Sequence, residues 1–253
     1  MTIALRKQLQ QQSLPHVSFG PFRFLESLPW LAMAAAMRVI AFGGGAVAFP
    51  AIIVAAIAVL HAFLVVAQRA IEFNGGQSNL GELNFAEQLR LSRTVVRQIA
   101  LLIFATVCVL LAAGCTSFAP DMLFGLDGMA FDQGSNIGKF WSAFIAALIL
   151  LMVVDAEHNQ GKVSVFRAIK EFARRGIWMG AAVLVLSVVY FGLGFGQGVV
   201  RGAIWHFWQV SSASQFIKNL IYFVFIFGFA MLRLWITLMI LTYGLKQSYL
   251  FRG

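Results

Sequence analysis

The sequence predicts an all-α, polytopic integral membrane protein, and three observations carry that prediction. Sixty per cent of the 253 residues are hydrophobic and 11% are charged, whereas soluble domains carry about 25% charged residues. Apolar runs of about 20 residues, enough to cross a hydrocarbon core of about 30 Å, recur along the chain. No charged or Pro-rich stretch is long enough for a separate soluble domain. We expect one transmembrane domain over 31–253, preceded by a cytoplasmic or interfacial segment over 1–30.

The N-terminal third contains a long apolar region, 31–67, broken by Arg38, by three consecutive glycines at 43–45 and by Pro50. One reading is a tight hairpin with limbs 31–47 and 48–67. The alternatives are a single long span and a re-entrant first limb, since 17 residues is short for a span. The hairpin returns the N-terminus to the cytoplasm, and the distribution of basic residues favours it.

Four further spans are expected at about 98–118, 140–157, 177–200 and 219–245. The loop before 140 is acidic and the loop after 157 is basic, and Lys and Arg are retained on the cytoplasmic side. With the hairpin, fourteen of the nineteen basic residues are cytoplasmic, three are outside and two are embedded. We therefore expect six spans, arranged as three hairpins with both termini in the cytoplasm of a bacterial inner membrane.

Two segments next to the spans resemble each other and indicate amphipathic helices in the cytoplasmic interface. They read "NFAEQLRLSRTVVRQIA" and "SVFRAIKEFARRGIWMGA". Aligning Phe85 with Phe166 also aligns Arg93 with Arg174. Generic juxtamembrane composition explains the similarity equally well, so an internal repeat stays an open alternative.

The stretch "RTVVRQIALLIFATVCVLLAAGCTS" has the order of charge, apolar run, small residues and cysteine that is typical of a lipoprotein signal. Signal peptides are N-terminal, however, and this one would begin at Arg93. Ala112 also stands three residues before Cys115, where a lipoprotein box usually has Leu. The run has the length of a full span, so we predict a transmembrane helix.

Ionisable residues inside spans are costly and therefore informative. Four of them, Arg38, His61, Asp155 and Arg233, fall at comparable depth in the cytoplasmic half of the predicted bundle. We predict that Asp155 pairs with Arg233 or Arg38. The pair has a structural interpretation, in which it fixes helix packing, and a functional one, in which the residues line a pocket for an anionic lipid headgroup or an acidic partner. Arg38 alternatively extends its charged end to the interface.

A glycine-rich stretch, "YFGLGFGQGVVRG", lies at the end of the span 177–200. Its glycines recur four residues apart, which lets helices approach closely, and the packing partner belongs either to this chain or to another. Local unwinding of the helix beside Gln197 is the alternative. The candidate packing residues are Gly192, Gly194, Gly196, Gly198 and Gly202.

The short loops and the lack of a nucleophile, metal or nucleotide motif favour a non-catalytic role. We expect no nucleic-acid binding, metal or cofactor; a bound phospholipid is compatible with the cluster. The leading hypothesis is a membrane subunit that scaffolds or assists a larger envelope complex for transport or secretion, in contact with other subunits and with anionic lipids on the cytoplasmic side. The alternatives are a transporter or channel that uses the four ionisable residues, and an intramembrane lipid-modifying enzyme.

Overall fold

Seven α-helices form nearly all of the described chain, which in this computed structural model comprises residues 16–17, 23–72, 85–117, 122, 135–159 and 162–250. Six of them are long and apolar enough to cross a membrane, the first together with a short 3-10 helix. This confirms the predicted all-helical chain with six candidate spans. The helices are α1 (Leu28–Phe42), α2 (Ala48–Ala70), α3 (Phe85–Ala112), α4 (Asn136–His158), α5 (Val165–Arg174), α6 (Gly176–Val210) and α7 (Gln215–Leu250).

The first apolar region is divided into two helices by a turn at 43–47. Gly44 and Gly45 adopt φ angles of 74° and 77°, which glycine reaches without strain because it has no Cβ. The first limb, predicted to reach about 47, ends as a helix at Phe42, and the rest of it forms the turn before α2 begins at Ala48. The 3-10 helix Arg23–Ser27 precedes α1, and together they extend about 32 Å, close to the length of α2 at about 34 Å.

Two short strands lie at the end of this helix pair that is remote from the turn at 43–47. The first, β1 (His16–Val17), is antiparallel to the second, β2 (Ile71–Glu72), which directly follows α2. Val17 lies opposite Ile71. The chain before the 3-10 helix and the chain after α2 therefore meet at one place, an element that the sequence did not indicate.

The helix α3 contains both the predicted surface helix at 85–97 and the span that follows it. Leu91, Val95 and Ile99 are buried at helical spacing, while Arg90 and Arg93 are exposed. No Gly or Pro stands between the amphipathic turns and the apolar turns, so the helix continues without a break. The prediction of a separate surface helix here is wrong.

The second amphipathic segment forms a helix of its own, α5. It is a separate ten-residue helix, and its buried residues Val165 and Ala168 lie on one face. Phe166 is 80% exposed, and the basic side chains of Arg167 and Lys170 are also exposed. Arg175 and Gly176 separate α5 from α6, because the Arg175 backbone has left the helical conformation.

The interior of the bundle is built around α4, which is the most buried of the candidate spans: 72% of its spanning window is buried, against 17% for α3. Every residue from Ile145 to Val154 is buried. All ten are apolar, so this part of α4 lies in the hydrophobic core of the bundle. Its first turn is fixed by Ser135, whose hydroxyl accepts a hydrogen bond from the Gly138 N–H at 3.1 Å.

The longest helices, α6 and α7, have 35 and 36 residues. At about 1.5 Å per residue each exceeds 50 Å, well beyond a hydrocarbon core of about 30 Å. They contain the predicted spans 177–200 and 219–245 and extend past them. The helices approach closely at Gly244, where an added Cβ would lie 2.6 Å from the Cβ of Ala182.

Candidate functional site

Asp155, one of the four predicted site residues, lies near the C-terminal end of α4. Its carboxylate accepts a hydrogen bond from the Arg167 guanidinium at 3.0 Å and another from the Asn159 amide at 2.8 Å. The predicted pairing of Asp155 with Arg38 or Arg233 is wrong, because the basic helix α5 folds back beside the end of α4. The ion pair joins α4 to α5 at the edge of the span.

His61 lies on α2 inside the bundle and is 1% exposed. Its Nδ1 is 2.6 Å from the Oγ of Ser92, which lies on α3 and is equally buried. The indole of Trp30 covers the imidazole edge to face, with ring centroids 4.1 Å apart. The hydrogen bond to Ser92 and the aromatic contact with Trp30 therefore connect α2 to α3 and to α1.

The pair of Ser92 and His61 has the atoms of a nucleophile and a base, but its surroundings differ from those of a hydrolytic site. Both residues are buried among apolar helices. A serine nucleophile has to reach a substrate carbonyl, and its histidine is usually oriented by an acidic group. The geometry given for this pair instead fits a buried hydrogen bond that stabilises helix packing. Sequence reasoning missed Ser92, although it follows Leu91 on the buried face of α3.

Arg38 does not lie at the depth of His61. It stands four residues before the end of α1, about 6 Å from the turn. His61 stands thirteen residues after the start of α2, about 20 Å from the same turn. The predicted match in depth is wrong, because α1 ends at Phe42 and not at 47.

Arg233 is the centre of a polar layer between α6 and α7. It is only 4% exposed, and its Nη2 donates a hydrogen bond to the Gln197 Oε1 at 3.0 Å. The guanidinium carbon lies 5.6 Å from the centroid of the Tyr190 ring. The Tyr190 hydroxyl is 2.8 Å from the Oγ1 of Thr237. A neutral amide and an aromatic ring thus contact a guanidinium inside a predicted span. Sequence reasoning did not foresee these contacts of Gln197 and Tyr190.

The predicted packing glycines on α6 face open space. An added Cβ would meet nothing within 4 Å at four of the five positions, namely Gly192, Gly196, Gly198 and Gly202. At Gly194 it would lie 3.1 Å from the Lys139 side chain. Within the described residues, the close helix packing occurs instead at Gly244. Gly198 and Gly202, one turn apart on α6, therefore have open space beside them among the described residues.

The described residues contain no group of three or more His, Cys, Asp or Glu side chains that could hold a metal ion. The chain matches no protein-family model, and no curated protein and no solved structure matches it.

Proposed function

We propose that this protein is a non-catalytic integral membrane subunit that scaffolds or assists a larger envelope complex. The observation that carries the proposal is the open face of α6. Gly198 and Gly202 lie one helical turn apart, and a side chain added at either would meet nothing in the described chain. Small residues are typical of transmembrane helix interfaces, because they let backbones approach closely.

The apolar burial of α4 supports this role over that of a channel. An aqueous pathway needs polar groups or open space along its length. The ten consecutive buried residues of α4, from Ile145 to Val154, are apolar and fully packed. The ion pair of Asp155 lies at the end of the helix and not within the bundle.

We also propose the orientation of the chain in its membrane. The exposed basic face of α5, with Arg167, Lys170 and Arg174, fits the anionic cytoplasmic surface of a bacterial inner membrane. The chain then crosses the membrane six times, in three hairpins, with both termini in the cytoplasm. The turn between α6 and α7, over 211–214, lies outside.

A transporter remains the second candidate, and the polar layer at Arg233 favours it. A guanidinium that is 4% exposed and bonded to Gln197 is costly within a bilayer, so such groups often mark ion or substrate pathways. This candidate requires the layer to open to both sides during a transport cycle. It predicts substrate flux in liposomes that contain this chain alone.

The test is native mass spectrometry of the full chain, purified through an affinity tag in mild detergent from the membrane that makes it. We expect other membrane subunits to be present in fixed ratio. Gly198→Leu should abolish that association while leaving the helix content unchanged, because an added Cβ at this position meets nothing within 4 Å among the described residues.

The matched control is Gly228→Leu on α7, where an added Cβ also meets nothing within 4 Å. It should leave the association intact. A chain that is recovered alone, or a Gly198→Leu variant that associates like wild type, would contradict the proposed role. Flux through liposomes that contain only this chain would favour the transporter.

A further inference from the structure

Basic residues are concentrated on the first turns of α3 and on α5 with the loop before it. The stretches 85–97 and 162–175 contain eight basic residues and two acidic ones, Glu87 and Glu171. α3 and α5 contact each other, so the two stretches form one surface, which we name the basic surface. All of its basic residues except Arg175 are exposed. They are Arg90, Arg93, Arg97, Lys162, Arg167, Lys170, Arg174 and Arg175.

Part of the charge on the basic surface is compensated within the chain. The Arg167 guanidinium pairs with Asp155 at 3.0 Å. Arg174 and Arg175 share Glu171, at 3.5 and 3.2 Å. Within the part of the chain that the structure describes, no ion pair forms at the remaining five, which are Arg90, Arg93, Arg97, Lys162 and Lys170. Five exposed positive charges are thus available to an anion from outside the chain.

The outward side of α3 changes from basic to apolar along the helix. Arg90, Arg93 and Arg97 lie on the side opposite the buried face. Leu101 and Phe104 follow on the same side and are 58% and 67% exposed. The step from Arg97 to Leu101 is about 6 Å along the helix axis. Because charged side chains are costly in hydrocarbon, this step indicates that the headgroup region ends between these two residues.

Exposed apolar side chains accompany the charges around α5. Phe166 is 80% exposed, and Ile177, at the start of α6, is 84% exposed. Phe166 lies between the buried Val165 and the exposed Lys170 around the helix, since successive residues turn by about 100°. This order is typical of a helix that lies in the membrane interface, with its aromatic side chain among acyl chains and its basic side chains at the headgroups.

We propose that the basic surface binds the phosphodiester headgroups of anionic membrane phospholipids, with Phe166 inserted among their acyl chains. The guanidinium groups of Arg93 and Arg97 donate paired hydrogen bonds to phosphate oxygens, and Lys170 adds a further cation on α5. A zwitterionic headgroup carries its own ammonium group and therefore gains less from these charges. The proposal rests on the orientation given above only for the leaflet, the cytoplasmic one, that supplies the lipid.

The experiment is a titration of the delipidated full chain in detergent, followed by native mass spectrometry. The probes are dioleoyl phosphatidylglycerol and, separately, dioleoyl phosphatidylcholine. We expect phosphatidylglycerol to bind at least about tenfold more tightly. Each basic residue near an anionic headgroup contributes about fivefold. Arg93→Gln and Lys170→Gln should therefore each weaken phosphatidylglycerol binding about fivefold, and the double variant about twentyfold.

The matched control is Arg201→Gln, which removes an exposed cation near the other end of α6. It should bind phosphatidylglycerol like wild type. The double variant Arg93→Lys with Lys170→Arg keeps both charges and should retain most of the affinity. Circular dichroism of each variant separates a lost charge from a lost fold.

Insertion of Phe166 is tested with a nitroxide in liposomes that contain phosphatidylglycerol. The native cysteines, Cys108 and Cys115, are first replaced by Ser. A nitroxide on Phe166→Cys should collide more often with oxygen, which concentrates in hydrocarbon, than with a water-soluble nickel complex. The same label on Lys162→Cys, in the loop before α5, should show the opposite order. Equal accessibility at the two positions would exclude the insertion.

Three outcomes of the titration would overturn the proposal. One is equal affinity for phosphatidylglycerol and phosphatidylcholine. Another is equal binding by the Arg93→Gln, Lys170→Gln double variant and by Arg201→Gln. The third is displacement of the lipid by an equimolar polyglutamate peptide, which would assign the basic surface to an acidic segment of a protein partner. Sidedness is measured separately in cells, so a reversed orientation changes the leaflet and leaves the titration unaffected.

Discussion

Replacing Gly244 by Ala places a methyl group where α7 meets α6. An ideal Cβ at this position would lie 2.6 Å from the Ala182 Cβ and 3.2 Å from the backbone carbonyl oxygen of Trp178. Carbon atoms pack favourably at about 3.5–4.0 Å, so the two helices have to separate by roughly 1 Å. Overpacking of this kind costs about 1–3 kcal/mol. Gly228→Ala on the same helix has open space and serves as the control for helix propensity.

The assay is unfolding of the purified chain by sodium dodecyl sulfate in mixed micelles, followed by circular dichroism. We expect Gly244→Ala to be less stable than Gly228→Ala by about 1–3 kcal/mol. Adding Ala182→Gly to Gly244→Ala should recover most of the loss, because it removes the nearer of the two contacts. Equal stability of the two single variants, or no recovery in the double variant, would refute the packing of α6 against α7 described above.

Three further variants test the polar contacts in the same unfolding assay. Ser92→Ala leaves the Nδ1 of His61 without this hydrogen bond and should cost about 1–3 kcal/mol; no loss of stability would exclude the contact. Asp155→Asn should lower the free energy of unfolding by at most about 1 kcal/mol, because its partner Arg167 is 46% exposed. It should cause no further loss when Arg167 is already replaced by Gln; a loss of folding would show that Asp155 pairs inside the bundle. Tyr190→Phe removes a hydrogen bond to α7 and should cost about 0.6 kcal/mol; a cost above about 2 kcal/mol would indicate a larger polar network.

The apolar runs of the sequence predicted the number of long helices and their approximate positions, because a bilayer span has a fixed minimum length. Composition alone does not determine where a helix ends. The boundary at Phe42 depends on two glycines with positive φ. The sequence has three consecutive glycines here, and it does not show which of them adopt that conformation. The continuity of α3 through Arg93 and Arg97 shows that an amphipathic surface segment and a span are able to share one helix when no breaker separates them.

The sequence predicted which ionisable residues lie inside the bundle, but it did not predict their contacts. Arg233 and His61 were singled out because ionisable groups are costly inside a span, and both side chains are buried. Their neighbours were not predictable, because Gln197 and Ser92 are ordinary polar residues until helix packing places them beside a buried charge or ring. The predicted partners of Asp155 were wrong, because the depth of a residue along its helix does not show which neighbouring side chain faces that residue.

Glycine spacing illustrates the same difficulty. The four-residue repeat on α6 and the single Gly244 on α7 both satisfy the requirement for small residues at a close helix crossing. An added Cβ at Gly244 would meet Ala182 of α6 and one at Gly194 would meet the Lys139 side chain, whereas one at Gly198 would meet nothing within 4 Å among the described residues. A repeat of small residues shows that close approach is feasible, but the partner is decided by the surfaces on both helices.

The most direct measurement of the membrane arrangement is labelling of single cysteines in intact cells with a membrane-impermeant maleimide. The background replaces the two native cysteines, Cys108 and Cys115, by Ser. A cysteine at Ser212, in the turn between α6 and α7, should be labelled from outside, while cysteines placed after Met1 and at Gly253 should react only after the cells are opened. Labelling of one terminus from outside and the other from inside would contradict both the six crossings and the proposed orientation of the chain.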